Sequence, residues 1–220
     1  MIARGLAAWY RLDGNLTDSS GNGNNAQLVS GSANYISGQY GQAYSFPATA
    51  NRLSAGTTTL SAFDSGQPFT VSFWMHATNH AKFGAIICSQ ESGATGRGIQ
   101  VGLSRNTSPN SILLRLQGAQ RLQREGTVQV DTGAWVFIAV TYDGSKQASG
   151  LKIFVNGVED GAGAVVDNDP VGMTTTQPVY FGARNANEIP YEGGLDNVMP
   201  YNRALSLSEI KTLYALGSPL

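Results

Sequence analysis

Residues 13–25, DGNLTDSSGNGNN, hold two aspartates, four asparagines and three glycines around a single aliphatic side chain. Carboxylate, amide and main-chain oxygens at this density are ligands for a hard cation, and glycines let a short turn aim several of them at one point. Calcium is one reading of the run. The other is a solvated series of Asx turns, because Asn, Asp and Gly are also the common turn residues. An EF-hand does not fit: Asp13, Asn15 and Thr17 begin its pattern, but Asp18 stands where the turn glycine belongs and Asn24 replaces the bidentate glutamate. A dinucleotide loop does not fit either. Gly21-x-Gly23-x-x-Ala26 matches its spacing, yet no helical period follows on which a pyrophosphate could rest.

Other reactive side chains are sparse. His76 and His80 lie four apart in HATNH, but one ends a strand and the other follows a turn, so they read as surface histidines rather than a helical zinc pair. Cys88, the single cysteine, sits in the apolar run GAIICSQ and reads as a buried, inert thiol. A retaining glycosidase would set its carboxylates on one face of a strand as Glu-x-Asp-x-Glu. No such triplet occurs, so no catalytic residue is assigned and the chain is not expected to be an enzyme. VDTGAW resembles the sialidase Asp-box only in part, since Trp135 falls one residue too close to Asp131 and the serine is absent; it reads as a turn into a strand. The sequons at Asn15 and Asn106 carry little weight without a secretory signal.

The elements that position these residues are extended. In LAAWYRLDG, Leu6, Ala8, Tyr10 and Leu12 share one face of a strand, and FTVSFWMHA places Phe69, Val71, Phe73 and Met75 together. GIQVGLS, ILLRLQG, WVFIAVTYDG, LKIFVNGVED and PVYFGA repeat the pattern between turn residues, and Asn156-Gly157 suits a two-residue hairpin. The expectation is an all-β, two-sheet antiparallel β-sandwich. The exception is LSLSEIKTLYALG, where Ser206 and Glu209 form a capping box, Leu207, Ile210, Leu213 and Tyr214 keep helical spacing, and Gly217 is a stop. It predicts a short C-terminal helix packed on the sandwich.

With 220 residues, 41% of them apolar and 13% charged, and with no repeat or linker, the chain predicts a single domain over residues 1–220. A net charge of −1 without a basic stripe argues against nucleic acid as a partner, and no apolar stretch is long enough to span a membrane. No secretory signal is recognisable at the N-terminus, so the expectation is a soluble product made in the cytosol.

Taken in order, WYRLDGNLTDSSGNGNNAQL, YGQAYSF, FTVSFWMHA, WVFIAVTYDG, LKIFVNGV and GGLDNVMPYNRALSLSEI resemble the concanavalin A-like, laminin G type jelly-roll family, in particular its bacterial and phage branch. The resemblance runs from about residue 6 to residue 214. It implies a non-catalytic jelly roll that binds glycans or mediates adhesion and assembly. It also implies a structural calcium ion where the N-terminal strand end and its loop meet the final strand, which maps onto Asp13, Asp18, Asn24 and Asp196. The chain departs from the family at SFPATANRL, where Pro47 replaces the usual aspartate; a ligand function of that loop in relatives does not carry over, and the rim calcium of laminin modules has no counterpart.

Two roles follow as expectations. The first is a carbohydrate-binding or adhesion module for a glycan or cell-surface polysaccharide, with aromatic platforms beside a few polar groups. Trp74, His76, Tyr35 and Tyr191 are its candidate residues, with core packing the alternative reading of each. The second is a virion decoration, tail or spike component that uses the jelly roll for self-association or contacts with other virion proteins. Either role places the protein on a virion or another outer surface.

Overall fold

The computed structural model describes residues 2–47, 51–55, 65–78, 84–93, 96–104, 110–130, 133–161, 163, 165–185 and 188–219. His80, Asp131 and the sequon at Asn106 lie outside them. The strands in chain order are β1 (Gln27–Ser30), β2 (Tyr35–Ser37), β3 (Gln42–Phe46), β4 (Arg52–Ser54), β5 (Phe69–Ala77), β6 (Ala85–Cys88), β7 (Gly98–Leu103) and β8 (Ile112–Gln117). They continue with β9 (Arg121–Glu125), β10 (Val136–Tyr142), β11 (Leu151–Val155), β12 (Val158–Glu159), β13 (Val165–Asp167), β14 (Tyr180–Phe181) and β15 (Gly193–Tyr201), followed by helix α1 (Leu207–Leu216). All pair antiparallel in two sheets: β1-β4-β14-β6-β7-β8-β9-β13 with eight strands, and β12-β11-β10-β5-β15-β3-β2 with seven. This is the two-sheet sandwich that the alternation implies.

The core lies between the sheets. From the seven-stranded sheet, Phe69, Val71, Phe73 and Met75 of β5 and Val136, Ile138, Val140 and Tyr142 of β10 point inward. Ile99 and Val101 of β7 and Leu114 and Leu116 of β8 meet them from the other layer. The opposite face of the seven-stranded sheet is apolar too: Trp74, Phe137, Ala139, Phe154 and Met199 form a second cluster with Ile210 and Leu213 of α1. That explains why residues 136–140 of β10 are apolar on both faces, since a strand covered on both sides has no solvent face. Full burial of Ile210 and Leu213 contributes about 1.5–3 kcal/mol each, enough to hold a ten-residue helix that would not persist alone.

Helix α1 starts and stops where its sequence says. The Ser206 side chain accepts from Glu209 N–H, Glu209 accepts from Ser206 N–H at 2.9 Å, and Gly217 closes the helix in the left-handed conformation at φ 62°. Leu207 and Tyr214 are only partly covered, so the fully buried stripe is narrower than the apolar pattern. Asn156 (φ 50°) and Gly157 (φ 77°) make the expected hairpin turn between β11 and β12.

The N-terminal segment differs from expectation. Residues 6–10 form no ladder strand but run beside the second half of β15 through isolated bridges, Leu6 to Tyr201 and Tyr10 to Val198. Ala8, Tyr10 and Leu12 enter the core, while Leu6 and Trp9 pack on the outer cluster. The beginning and end of the chain are thereby joined. No helix among the described residues is long and apolar enough to cross a membrane.

Candidate functional site

Two carboxylates hang from the turn between β2 and β3. Gln42 N–H donates to Asp13 Oδ1 at 2.7 Å, and Tyr40 N–H donates to Asp196 Oδ2 at 2.9 Å. The turn closes by a bond from Gly38 N–H to Gly41 O at 2.9 Å. Glycine is required at both ends: a Cβ on Gly38 would meet Asp196 Oδ2, and one on Gly41, at φ +68°, would overlap Asp13 Oδ1. Asp196 comes from β15, paired with Trp74 of β5 on the helix-bearing side of the sheet. It is fully buried, and its Oδ1 has no hydrogen-bond partner. Burial pushes its pKa up to about 7, and the nearby negative charge of Asp13 adds to the rise. Asp13 is half-buried and paired with Arg11, Nη2 to Oδ2 at 2.7 Å.

The oxygen chemistry fits a hard cation. An orphaned buried carboxylate oxygen beside a second carboxylate is costly unless a proton or a metal ion neutralises it. Among the described residues no group of three or more His, Cys, Asp or Glu side chains gathers here, so further ligands would have to be main-chain oxygens, amides or water.

Asp18 and Asn24 do other work. Asp18 Oδ1 accepts from Trp9 N–H at 2.9 Å and Ser20 N–H at 2.8 Å, and its Oδ2 accepts from Asn24 N–H at 3.0 Å. Burial opposes its ionisation, but these hydrogen bonds, from Ser20, Trp9 and Asn24, outweigh it and hold the pKa below the usual value. Asn24 Nδ2 donates to Ala7 O at 2.9 Å, and its carbonyl accepts from the Tyr10 hydroxyl at 2.7 Å. The polar run thus divides. Its second half staples the loop to residues 7–10 through Asx-type bonds, while Asp13 alone joins Asp196.

Next to the carboxylate pair a cleft of ≈ 220 Å³ opens between Trp9, Arg11, Tyr40, Asn197 and Leu216. Trp9 is fixed in plane by its Nε1–H, which donates to Asn197 Oδ1 at 2.8 Å, and the Arg11 guanidinium lies 5.7 Å from its ring centre. Asn197 reaches that position because β15 bulges between Asp196 and Met199, with Asn197 itself at φ 50°. Tyr40 leaves 36% of its surface exposed and stands edge-on against Trp74, with ring centres 5.9 Å apart. Two aromatic walls, a guanidinium and an amide share one concavity.

Of the aromatic candidates read from sequence, Trp74 and Tyr191 present no face to solvent. Trp74 is 5% exposed, stacked under Tyr214 at 5.7 Å, and belongs to the helix-covered cluster. Tyr191 is 1% exposed in the sandwich core, with its hydroxyl donating to Gly194 O at 3.1 Å. Tyr35, on the edge strand β2, is half-buried and edge-on against Tyr44. His76 is half-buried 5.6 Å from the Trp135 ring, with Nδ1 unpartnered. None of the four lines the cleft. Trp9, Arg11 and Tyr40 do, and alternation alone hinted only at Trp9, which falls between the inward-facing Ala8 and Tyr10.

The eight-stranded sheet carries a polar row on its face away from the core. Cys88, Gln100, Arg115 and Gln123 are cross-strand partners in sequence. Arg115 Nε donates to Gln123 Oε1 at 2.8 Å, and Gln123 Nε2 to Glu125 Oε1 at 2.7 Å. Gln100 is fully buried with both amide atoms unpartnered. Burial pushes the Cys88 thiol up to about 12, so it is inert as the sequence implied.

Comparisons with known proteins follow the same lines. A family model described as the concanavalin A-like lectin/glucanases superfamily, of laminin G type, matches residues 50–211. Domain 4 of AbnA, an extracellular arabinanase from Geobacillus stearothermophilus solved with arabinotriose, superposes with a TM-score of 0.71 at 21% identity, covering 95% of this chain and 98% of that one. The binding domain of Paraclostridial Mosquitocidal Protein 1 gives 0.73 at 17% identity, over 97% of this chain and 52% of its own. The binding domain of botulinum neurotoxin DC, solved in complex with SialylT, gives 0.68 at 12% identity over 98% and 52%. The chain therefore spans about half the length of the toxin binding domains. At these identities the likeness is one of fold. A search of curated proteins by sequence finds no match.

Proposed function

Because the chain belongs to the concanavalin A-like lectin/glucanase superfamily, we propose that it is a non-catalytic carbohydrate-binding module whose chain ends are clasped by a calcium ion. The observation that carries the reading is the cleft in which the rings of Trp9 and Tyr40 face a common space with Arg11 and Asn197. Sugar rings stack their C–H faces on aromatic walls, and a few fixed polar groups then read the hydroxyls. Trp9 is held in plane by Asn197, and Tyr40 rests on Trp74, so both platforms are rigid before a ligand arrives. Arg11 supplies donors for a hydroxyl or a carboxylate at the rim. The structural neighbours solved with arabinotriose and with SialylT support a glycan as the ligand class.

Asp13 and Asp196 would hold the calcium ion, and Asp196 Oδ1 is the oxygen that needs it. When bound, the ion supplies positive charge that offsets the burial of one carboxylate and the repulsion between two. The turn of residues 38–41 would then be fixed from both sides, and with it Tyr40, the outer wall of the cleft.

A glycan array spanning arabinans, β-glucans and sialylated glycans, probed with calcium present, tests the reading. Selective binding to one glycan class, with no release of reducing sugar on incubation, is the expected result. An array without signal, or turnover of the bound glycan, would overturn it.

A further inference from the structure

The Trp9–Tyr40 cleft has a polarity that narrows its ligand further. Trp9 Nε1–H can only donate, so the atom of Asn197 that meets it at 2.8 Å is the carbonyl oxygen, and the amide nitrogen is the end left toward the cleft. Asn197 is 3% exposed and sits in the bulge of β15, so its amide cannot turn its oxygen to a ligand without giving up Trp9. Among the described residues that line the cleft, Arg11 is the one charged side chain. Its guanidinium carries five N–H groups, and the ion pair with Asp13 engages Nη2 alone, at 2.7 Å. Asp13 is not itself part of the lining: Gln42 N–H occupies its Oδ1 and Arg11 its Oδ2. The pair therefore fixes the guanidinium in place and leaves Nε and Nη1 as donors for a ligand.

Another part of the wall has the opposite sign. Helix α1 ends at the cleft with Leu216 and Gly217, and the last carbonyls of a helix lack helical partners and carry partial negative charge. Tyr40 packs on that end, since a Cβ on Gly217 would overlap its ring. An anionic group thus belongs beside Arg11 and Asn197, and hydroxyl donors belong beside the end of α1. At ≈ 220 Å³ the cleft is smaller than the roughly 300–1,000 Å³ of pockets that enclose a drug-sized ligand, which suits one sugar ring rather than a chain.

We infer, on the reading of this cleft as a glycan site, that it takes the terminal acidic sugar of a glycan: the carboxylate on the open donors of Arg11, the ring between Trp9 and Tyr40, and the hydroxyls toward Asn197 Nδ2 and the end of α1. Arg11 then decides specificity. A carboxylate meets its planar fork with charge-assisted hydrogen bonds, whereas a neutral sugar gives the guanidinium no counter-charge within the cleft.

Isothermal titration of the full chain with calcium saturating tests the inference on matched probes: 3′-sialyllactose and a glucuronate-terminated disaccharide, each beside its own methyl ester. At least one acid is expected to bind, with its ester weaker by about tenfold or more, the size of one lost charge-assisted hydrogen bond. Arg11→Gln should bring the acid down to the level of its ester and leave the ester unchanged. The calcium-induced rise in melting temperature, measured on the same variant, shows that the fold and the carboxylate pair survive the change. Failure of both acids, equal binding of acid and ester, or full affinity in Arg11→Gln would each overturn the assignment. Should a neutral arabinan or β-glucan bind instead and weaken in Tyr40→Ala, the cleft remains a glycan site and the acidic specificity alone falls; silence across the whole array removes both.

Discussion

Asp13 and Asp196, from opposite ends of the chain, are held by neighbouring amides of one turn: Gln42 N–H at 2.7 Å for the first and Tyr40 N–H at 2.9 Å for the second. A carboxylate pair of this kind, with Asp196 buried and one of its oxygens unpartnered, has a reason to bind a cation. Saturating calcium, at about a hundred times its Kd, should therefore stabilise the fold by about 2.7 kcal/mol. In thermal unfolding that is a rise of roughly 5–10 °C, on about 2–4 °C per kcal/mol for a chain of this size. The shift should vanish in Asp196→Asn, and an equal shift in that variant would remove the pair from the calcium site.

Without calcium, the pair makes stability depend on pH. Asp196 has a folded-state pKa of about 7 against 3.8 when unperturbed, chiefly through burial. Its contribution is fully present below pH 3.8, where both states are protonated, and is lost as the pH rises through about 7, because the unfolded state gives up its proton first. Urea unfolding in a chelator should show the wild type losing stability between pH 4 and pH 7, relative to Asp196→Asn, and levelling off above. Calcium should flatten this slope. A relative gain in stability over that interval would contradict the buried state of Asp196.

Gly41→Ala should cost more than Gly23→Ala. Both glycines have positive φ, so each substitution carries about 1–2 kcal/mol of left-handed strain. Only at Gly41 does the new Cβ also overlap Asp13, whereas Gly23 faces open space. Chemical denaturation should show the larger loss for Gly41→Ala together with a weakened calcium response. Equal losses would mean that the turn is free to move off Asp13.

The elements that could be read in advance are those whose signals are local. Ser206, Glu209 and Gly217 mark both ends of α1, and Asn156-Gly157 marks its hairpin, because caps and turns depend on residues a few positions apart. Alternation in β5 likewise put Phe69, Val71, Phe73 and Met75 on one face, and that face is the core side. What sequence could not reveal depends on long-range pairing. Asp18 and Asn24 are neighbours of Asp13 in sequence, yet they bond to residues 7–10, and only the bridges between residues 6–10 and β15 decide that division. Trp74 is a candidate platform by residue type, but it lies on the face of β5 that α1 covers. Tyr40 gives no signal in a run of Gly and Gln; its place depends on Asp196, far along the chain.

The cap of α1 should matter beyond the helix itself. Hydrogen bonding to Arg203 holds the Glu209 pKa down to about 2, and Glu209 also closes the capping box on Ser206. This contribution is present above the ordinary glutamate value and is lost as the pH falls toward 2. Ser206→Ala should cost about 1 kcal/mol and loosen the helix over Trp74 and Phe137. Near-ultraviolet circular dichroism should weaken on mild heating before the far-ultraviolet strand signal does. Simultaneous loss of both would mean that α1 and the sandwich unfold as one unit.

The central claim is tested most directly by titrating the glycan class selected on the array into wild type and Tyr40→Ala, side by side, with calcium saturating. Loss of one stacking wall should weaken binding by about two- to twelvefold, from the roughly 0.5–1.5 kcal/mol of an aromatic contact beyond its buried area, while the melting temperature changes little. An unchanged affinity in a folded Tyr40→Ala would contradict the account and move the glycan site away from the Trp9–Tyr40 cleft.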